Sequence, residues 1–306
     1  MTSQPIVVGV DGSSESGAAA AAGWQIAEAA GAPCQLVHVT RDIRSSLDLA
    51  GTGVSVDHLQ LAMLARARNE IVAALAARVP PDVLEALIIR TGRTAGVLNA
   101  VLEELDAQML VLGGKHHSTL GRWLAGSTVH QVVRRITVPL LVTAGHMNAR
   151  PRVLVAVDPS YAARPTIERA TAFAQLLGGP LHALHVLEPL PAMPEVLLVA
   201  GSSEYEASCR ERIERDIWTL LPIPDHHKVI RAGIPVEAIA QEATAWCADV
   251  IVVGSHGKGW VDRLLIGSVT EDLLNDLPAA VLVVPVPAPE RRDTALARSR
   301  TALFPA

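Results

Sequence analysis

The sequence has few aromatic residues, few cysteines and no long apolar run, and each shortage excludes a class of protein. Only 3% of the 306 residues are aromatic although half are hydrophobic, which is typical of helices packed on a buried sheet rather than of a β-sandwich. Cys34, Cys209 and Cys247 form no CxxC pair and no zinc-like spacing with histidine, so we interpret them as reduced, mostly structural thiols. No apolar stretch reaches transmembrane length, and the N-terminus has no signal-peptide pattern. We therefore expect the cytoplasm as the location and no membrane partner.

The chain also lacks an excess of positive charge. Its formal net charge is −5 at pH 7, whereas nonspecific binding to nucleic acid needs a basic face. Nucleic acid is therefore not an expected partner. The length exceeds that of most single domains and favours two domains of about 150 residues each.

What the chain does contain is an internal repeat. IVVGVDGS matches VLVAVDPS, which places Asp11 and Asp158 at an offset of 147, and LVHVT matches ALHVL at the same offset. MLVLGG aligns with VIVVGS, and AGST with IGSV, at an offset of 141. A repeat of this length indicates duplicated structural units. We therefore predict one domain in residues 1–146, a second copy in residues 151–287 and a mobile tail over residues 288–306.

Each copy shows five strand-like segments that alternate with four helical ones. This alternation predicts an α/β protein with two tandem, doubly wound, five-stranded and mostly parallel sheets, covered by helices on both faces. In the first copy we predict strands near 5–10, 34–39, 84–90, 108–113 and 138–143, and helices near 14–31, 57–78, 94–106 and 127–135. In the second copy we predict strands near 152–157, 180–186, 227–231, 249–254 and 280–284, and helices near 162–178, 203–220, 235–247 and 268–276.

A glycine-rich segment, GSHGKGWVDRLLIGS, joins the fourth strand of the second copy to its last helix. A glycine-rich turn before a helix exposes backbone N–H groups that can bind an anion. The same segment could simply start the helix, with Ser268 and Glu271 forming a capping box. The residues alone leave both interpretations open, and neither copy contains a P-loop or a GxGxxG motif.

The glycine-rich segment also resembles the G-x2-G-x9-G-[ST] pattern of the nucleotide-binding universal stress proteins. Gly254, Gly257, Gly267 and Ser268 stand in its four conserved places. The VDGS and VDPS motifs, the HV pairs and the glycine before each third helix resemble the same family in both copies, to about residue 286. The resemblance implies the adenine-nucleotide alpha-hydrolase-like fold and an ATP-like ligand, with Mg²⁺ carried by the nucleotide.

The resemblance assigns nucleotide-binding residues wherever the sequence matches the family. In the second copy, Asp158 would lie near the adenine and ribose, and Val186 would bind adenine through its backbone. The ribose and phosphates would be surrounded by Gly254, Gly257, Gly267, Ser268 and Val269. In the first copy the matching residues are Asp11, Val39, Gly113, Gly126 and Ser127.

The first copy departs from the family pattern at two positions. His116 stands where the second glycine belongs, and Thr128 replaces the valine that follows the serine. A side chain at this turn could block the approach of the backbone to a phosphate, or require an unfavourable positive φ. We therefore expect the second site to be the stronger one. Four cations could complement phosphates: Lys115, Arg122, Lys258 and Arg263.

The remaining candidate residues favour structural roles. His38 and His185 occupy matching positions at strand ends, where hydrogen bonds to the backbone are the expected role. The adjacent pairs His116-His117 and His226-His227 have no evident third ligand, and neighbouring side chains diverge, so no metal site is predicted.

The leading hypothesis is a universal stress protein that binds ATP or a related adenine nucleotide and uses its occupancy in a stress response. One alternative is a slow ATPase or an adenylate-forming enzyme, although no convincing base, nucleophile or metal-ligand set is evident. A second alternative is a dimerisation scaffold without nucleotide.

The last strand of each copy, LLVTA and VLVVP, is an apolar edge segment that would gain from mutual pairing. Single-domain members of the family commonly pair in this way. We therefore predict that the two domains pair within one chain, and two chains could associate further as a homodimer.

Overall fold

A computed structural model describes residues 4–43, 56–117, 122–124, 127–188, 202–256 and 266–286. The first half comprises β1 (Ile6–Gly9), α1 (Ser14–Ala30), β2 (Cys34–Thr40), α2 (Val56–Leu75), α3 (Pro81–Glu85), β3 (Ile88–Thr91), α4 (Thr94–Glu104), β4 (Met109–Gly113), β5 (Lys115–His117), β6 (Arg122–Leu124), α5 (Ser127–Val133) and β7 (Leu140–Thr143). The second half comprises β8 (Val153–Ala156), α6 (Ala163–Leu176), β9 (Leu181–Leu187), α7 (Ser202–Asp216), β10 (Lys228–Ala232), α8 (Pro235–Ala245), β11 (Val250–Gly254), α9 (Ser268–Asp276) and β12 (Ala280–Val284). The predicted tail, residues 288–306, lies outside the described residues.

Ten of these strands form one continuous sheet in the order β10-β9-β8-β11-β12-β7-β4-β1-β2-β3. Each half contributes five parallel strands, which confirms the predicted fold class. The halves meet where β12 pairs with β7 in antiparallel fashion, with Leu282 opposite Leu141. The predicted pairing of the two last strands is therefore confirmed, and it turns two sheets into one.

The central strands of the large sheet are mostly apolar because helices cover both faces of the sheet. Every residue of β7, β9 and β12 is buried, as expected for strands enclosed by helices on both sides. Residues of α1, α2, α3, α6 and α7 pack on one face, and residues of α4, α5, α8 and α9 on the other. The two copies use the same faces, so the core extends across the junction between them.

The antiparallel junction gives the two halves opposite directions. The strands of the first half all run with β7, and those of the second half all run with β12. Since β7 and β12 are antiparallel, the carboxyl ends of the strands in the two halves lie at opposite edges of the sheet. Ligands of open α/β sheets bind beyond these ends, so the candidate sites of the two copies point away from each other.

Two segments of the first half differ from the sequence prediction. The third strand was predicted near 84–90, but it begins at Ile88, because Pro81 starts the short helix α3 that contains Leu84. The strands β5 and β6 form a small antiparallel hairpin that was not predicted. In the second half, the helix predicted to reach residue 220 ends at Asp216 and is followed by a 3-10 turn.

The three cysteines are not linked by disulfide bonds. All three cysteines are free thiols, with Cys34 and Cys209 buried and Cys247 exposed. Burial raises the pKa of the Cys34 thiol to about 12, which makes it unreactive.

Across the described ranges, none of the helices combines the length and apolar character needed to span a bilayer.

Candidate functional site

A cleft of about 180 Å³ opens in the first half at the point where the strand order reverses. The chain passes from β1 to β2 on one side of β1, and then crosses over to β4 on the other side. Clefts at such points are the usual ligand sites of doubly wound folds. Three of the predicted site residues line this cleft, namely Asp11, Val39 and Gly113.

The Asp11 carboxylate is held in the cleft by the serines that follow it. Its Oδ1 accepts hydrogen bonds from the backbone N–H of Ser13 at 3.1 Å and from the Ser13 hydroxyl at 2.5 Å. Burial raises the pKa of Asp11, but the hydrogen bonds from Ser13 and Ser16 and the charge of Lys115 together outweigh it and lower the pKa below its ordinary value of 3.8. Asp11 is therefore an anionic hydrogen-bond acceptor near neutral pH.

The glycine at the end of β4 is required by the packing of the cleft wall. A Cβ on Gly113 would lie 2.8 Å from the backbone carbonyl carbon and oxygen of Glu15, in the first turn of α1. No side-chain rotation can relieve a contact with backbone atoms. Gly113 thus allows β4 and the amino end of α1 to approach each other, and this approach shapes the cleft.

The two histidines at the strand ends have the structural role predicted for them. The ring Nδ1 of His38 donates a hydrogen bond to the carbonyl oxygen of Val10 at 2.7 Å. His185 makes the equivalent bond to the carbonyl of Val157, also at 2.7 Å. These bonds fix the residues that follow β1 and β8 against the ends of β2 and β9.

Several residues of the first cleft were not predicted from the sequence. Thr94 and Leu98, from the start of α4, and Ser13 and Ser16, from the start of α1, also line it. The serines could have been predicted from the sequence, because serine is a preferred residue just before a helix. Ser13 is the N-cap of α1, and its side chain accepts a hydrogen bond from the Ser16 N–H. Lys115, predicted as a phosphate partner, lines the cleft as well.

The backbone at His116 does not adopt a positive φ. His116 lies in the extended strand β5, where it pairs with Trp123 of β6. In the described part of the chain, positive φ angles outside glycine occur at Asp106, Cys247 and Leu277, so the alternative of a strained φ at His116 is not realised, and a blocked approach to the phosphate stays a prediction. Gly126 lies outside the described residues, and Ser127 is the first residue of α5.

The second half brings three predicted residues to the opposite edge of the sheet. Asp158 follows β8, Val186 lies near the end of β9, and Gly254 ends β11, with β8 between the other two strands. The Ser160 hydroxyl donates to Asp158 Oδ1 at 2.6 Å, which repeats the arrangement of Ser13 and Asp11. The second copy therefore reproduces the acidic wall of the first cleft.

The start of α9 corrects the capping box predicted from SVTE. Gly267, rather than Ser268, is the N-cap, and no side chain caps this helix. The Glu271 N–H donates to the Gly267 carbonyl at 2.9 Å, and the Glu271 carboxylate lies 3.8 Å from the Arg134 guanidinium. Since Ser268 has entered the first helical turn, its exposed side chain does not accept from Glu271.

Two hydrogen bonds hold the amino end of α9 at the end of β11. The Gly267 N–H donates to the carbonyl of Ser255 at 2.8 Å, and the Thr270 hydroxyl donates to the carbonyl of Gly254 at 2.8 Å. Gly267, Ser268 and Val269 thus lie next to the strand end that carries Gly254. Gly257 and the predicted phosphate partners Lys258 and Arg263 fall outside the described residues.

The described residues offer no ready metal centre. In those parts of the chain, no group of three or more His, Cys, Asp or Glu side chains is arranged to hold a metal ion. The polar groups at the two strand edges are carboxylates, hydroxyls and helix amino ends. Such groups can bind the hydroxyls of a ribose and the oxygens of a phosphate.

A comparison with known protein families shows to which family the chain is related, as the sequence motifs suggested. The profile of the universal stress protein family matches residues 2–144 and 150–285. The chain belongs to the universal stress protein family. Both halves carry the family sequence, in agreement with the duplicated architecture.

Individual universal stress proteins resemble the chain over nearly its whole length. One from Mycolicibacterium smegmatis is 30% identical over 296 residues, covering 92% of this chain and 97% of the relative. One from Mycobacterium tuberculosis is 30% identical over 295 residues, covering 91% and 96%. A crystal structure of a universal stress protein from Archaeoglobus fulgidus has a similar fold, with a TM-score of 0.60, 20% identity and coverage of 93% and 99%.

Proposed function

We propose that the chain binds ATP or a related adenine nucleotide beyond the carboxyl ends of its strands, and acts as a nucleotide-dependent stress-response or regulatory module. The cleft at the reversal of strand order is the observation that carries this proposal. It is lined by Asp11, Val39 and Gly113, three positions that the family pattern associates with the nucleotide.

The geometry suggests a role for each group. The backbone of Val39, and of Val186 in the second half, would hydrogen-bond the adenine edge. Asp11 and Asp158, each held by a serine hydroxyl, would accept from the ribose. The phosphates would lie at the amino ends of α5 and α9, where backbone N–H groups and the helix dipole favour negative charge. Bound Mg²⁺ would reach the site with these phosphates and neutralise part of their charge.

The second site is proposed to be the stronger one. Its sequence holds the complete set of Gly254, Gly257, Gly267 and Ser268, and Gly267 and Ser268 open α9 beside the end of β11. The first copy places the imidazole of His116 in the loop where the second copy has glycine.

Replacing Gly257 by glutamate is expected to weaken nucleotide binding at the second site by about 100-fold or more. The new side chain fills the loop and brings a negative charge to the phosphates, and like charges in a binding site cost several kcal/mol. Mass spectrometry of ligand released from fresh protein would identify the nucleotide, and calorimetric titration with it would measure affinity and stoichiometry. His116→Glu places the same residue at the matching position of the first copy and should leave the second site intact. Equal binding by wild type and Gly257→Glu would refute the assignment of this loop.

The alternative functions predict different results with the same protein. Sustained release of phosphate or AMP that is lost in Asp158→Ala would identify an enzyme. Failure to bind any adenine nucleotide would favour a scaffold. A homodimer and a cytoplasmic location belong to the proposal, and light scattering after size-exclusion chromatography would test the dimer.

A further inference from the structure

A cluster of charged and aromatic side chains lies at the amino end of β9, at the opposite end of this strand from Val186. The Nε2 of His182 in β9 lies 3.0 Å from Oε1 of Glu242 in α8. Both residues are buried, with 4% and 5% of their surfaces exposed. Arg231 of β10 donates from its Nε to the other carboxylate oxygen of Glu242. The Glu242 carboxylate therefore connects three elements. These are β9, the edge strand β10 and the helix α8 that covers both strands.

Aromatic rings enclose the other side of the histidine. The His182 ring stacks on Trp246 with centroids 4.8 Å apart and an angle of 18°, and His227 meets it edge-on at 5.7 Å. The Arg152 guanidinium lies 4.3 Å from the centre of the Trp246 ring, and its Nε donates to the Trp246 carbonyl at 2.8 Å. We call this set the His182 cluster: Arg152, His182, His227, Arg231, Glu242 and Trp246.

The hydrogen bonds indicate which form of His182 the cluster accommodates. Because a carboxylate only accepts, Nε2 of His182 carries the proton that is donated to Glu242. Its Nδ1 is buried and has no hydrogen-bond partner in the part of the chain that the structure describes. A second proton would therefore go to Nδ1, where the resulting N–H would be buried without an acceptor.

The charges around His182 oppose a second proton. With a neutral imidazole, one carboxylate, Glu242, faces two guanidinium groups, Arg152 and Arg231, while His227 contributes a further titratable ring. Burial lowers the pKa of His182 most; the hydrogen bond and charge of Glu242 raise it, the two arginines lower it, and the net pKa is below the ordinary value of 6.5. Protonation would add a third cation beside Arg152 and Arg231, whereas Glu242 is the one carboxylate that acts on His182 among the described residues.

The first copy lacks these groups at the matching positions. By the offsets of the repeat, Gln35 stands for His182, Val101 for Glu242 and Leu105 for Trp246, whereas Arg90 keeps the place of Arg231. The amide of Gln35 donates to the carbonyl of Ala86 at 2.6 Å. The same fold is thus built in the first half with a neutral, non-titrating side chain, so the fold itself does not require the cluster.

We propose that the His182 cluster is an acid-sensitive clamp that holds α8 on the second half of the sheet and loosens when His182 is protonated. Opening of α8 exposes the imidazole to water and lets it take up a proton. The clamp acts independently of any nucleotide. It gives the second half a response to acid that the first half does not share.

The direction of the pH effect follows from linkage. His182 binds its proton more weakly in the closed state than in the open state, where its pKa returns to about 6.5. The stabilisation of the closed state is complete above that value and is lost as the pH falls below it. Because one proton is taken up, the opening equilibrium constant of α8 rises by up to about tenfold per pH unit below about 6.5.

Hydrogen exchange of the full-length protein tests the clamp, with α4 of the first copy as the internal control for α8. Exchange would be followed by mass spectrometry from about pH 5 to about pH 7.5 and corrected for the intrinsic pH dependence of amide exchange. We expect the protection of α8 to fall with acidity while that of α4 does not. Parallel behaviour of the two helices in the wild-type protein would overturn the proposal without any variant.

Variants identify the titrating group. His182→Gln, which introduces the residue of the first copy, should make the protection of α8 independent of pH over this range. If it does not fold, His182→Gln combined with Glu242→Val copies the Gln35 and Val101 pair and should give the same result. Persistence of the acid response in a folded variant would show that His182 is not the sensor and would overturn the proposal.

Discussion

Replacing Leu282 by aspartate is expected to unfold the junction between the two halves. Leu282 is fully buried at the centre of β12, between β11 and β7, and faces the equally buried Leu141. Loss of a buried leucine costs about 2–5 kcal/mol, and an unpaired buried carboxylate costs several kcal/mol more. The expected loss, more than about 5 kcal/mol, is comparable with the stability of a whole domain.

Urea denaturation followed by circular dichroism would measure this loss. Leu61→Asp in α2 makes the same chemical change at a side chain that is 62% exposed, and it should alter stability by less than about 0.5 kcal/mol. A Leu282→Asp protein within about 1 kcal/mol of the wild type would contradict the burial of the junction.

Replacing Gly179 by alanine is expected to lower the free energy of unfolding by about 3 kcal/mol. A Cβ at this position would overlap the carbonyl oxygen of Pro151 and lie 3.0 Å from its carbonyl carbon. Both partners are backbone atoms, so the chain must move where α6 turns into β9. The strain would displace the segment that leads into β8.

Gly96→Ala supplies the matched control for this substitution. Gly96 lies in α4, where the added Cβ would have no other described group within 4 Å beyond its chain neighbours and the nearby backbone of the same helix, and alanine favours helix more than glycine does. We expect a gain of about 0.5–1 kcal/mol. Thermal or urea denaturation of both variants would measure the difference in sign, and a Gly179→Ala protein at least as stable as the wild type would show that the contact at Gly179 is relieved.

The sequence was sufficient to predict the strands and their duplication because parallel strands covered on both faces are continuous apolar runs. β11 and β12 were expected near 249–254 and 280–284 and occur at Val250–Gly254 and Ala280–Val284. The junction was predictable for a related reason, since two apolar edge strands need a partner.

Prediction failed where local signals competed or were weak. The run LEALIIR is mostly apolar, and only Pro81, at the first position of a helix, indicated that Leu84 belongs to α3 rather than to the strand. The hairpin of β5 and β6 consists largely of polar and charged residues without clear alternation, and no hydrophobic period indicated it.

The candidate site was predictable only in part, because motifs identify strand ends but not their neighbours. Asp11, Val39 and Gly113 were expected in the cleft, whereas Thr94 and Leu98 enter it through the orientation of α4. The His182 cluster depends still more on tertiary structure. Its residues come from separate strands, turns and a helix, and their contacts depend on strand register and on how α8 is oriented on the sheet.

The antiparallel pairing of β7 and β12 gives the molecule two strand-end faces that point in opposite directions. The carboxyl ends of the strands lie at one edge of the sheet in the first half and at the opposite edge in the second half. A molecule that covers one of these edges therefore leaves the other exposed to solvent. No single nucleotide can bridge the two edges, since the full length of the central strands separates them. The two candidate sites therefore open onto separate regions of solvent.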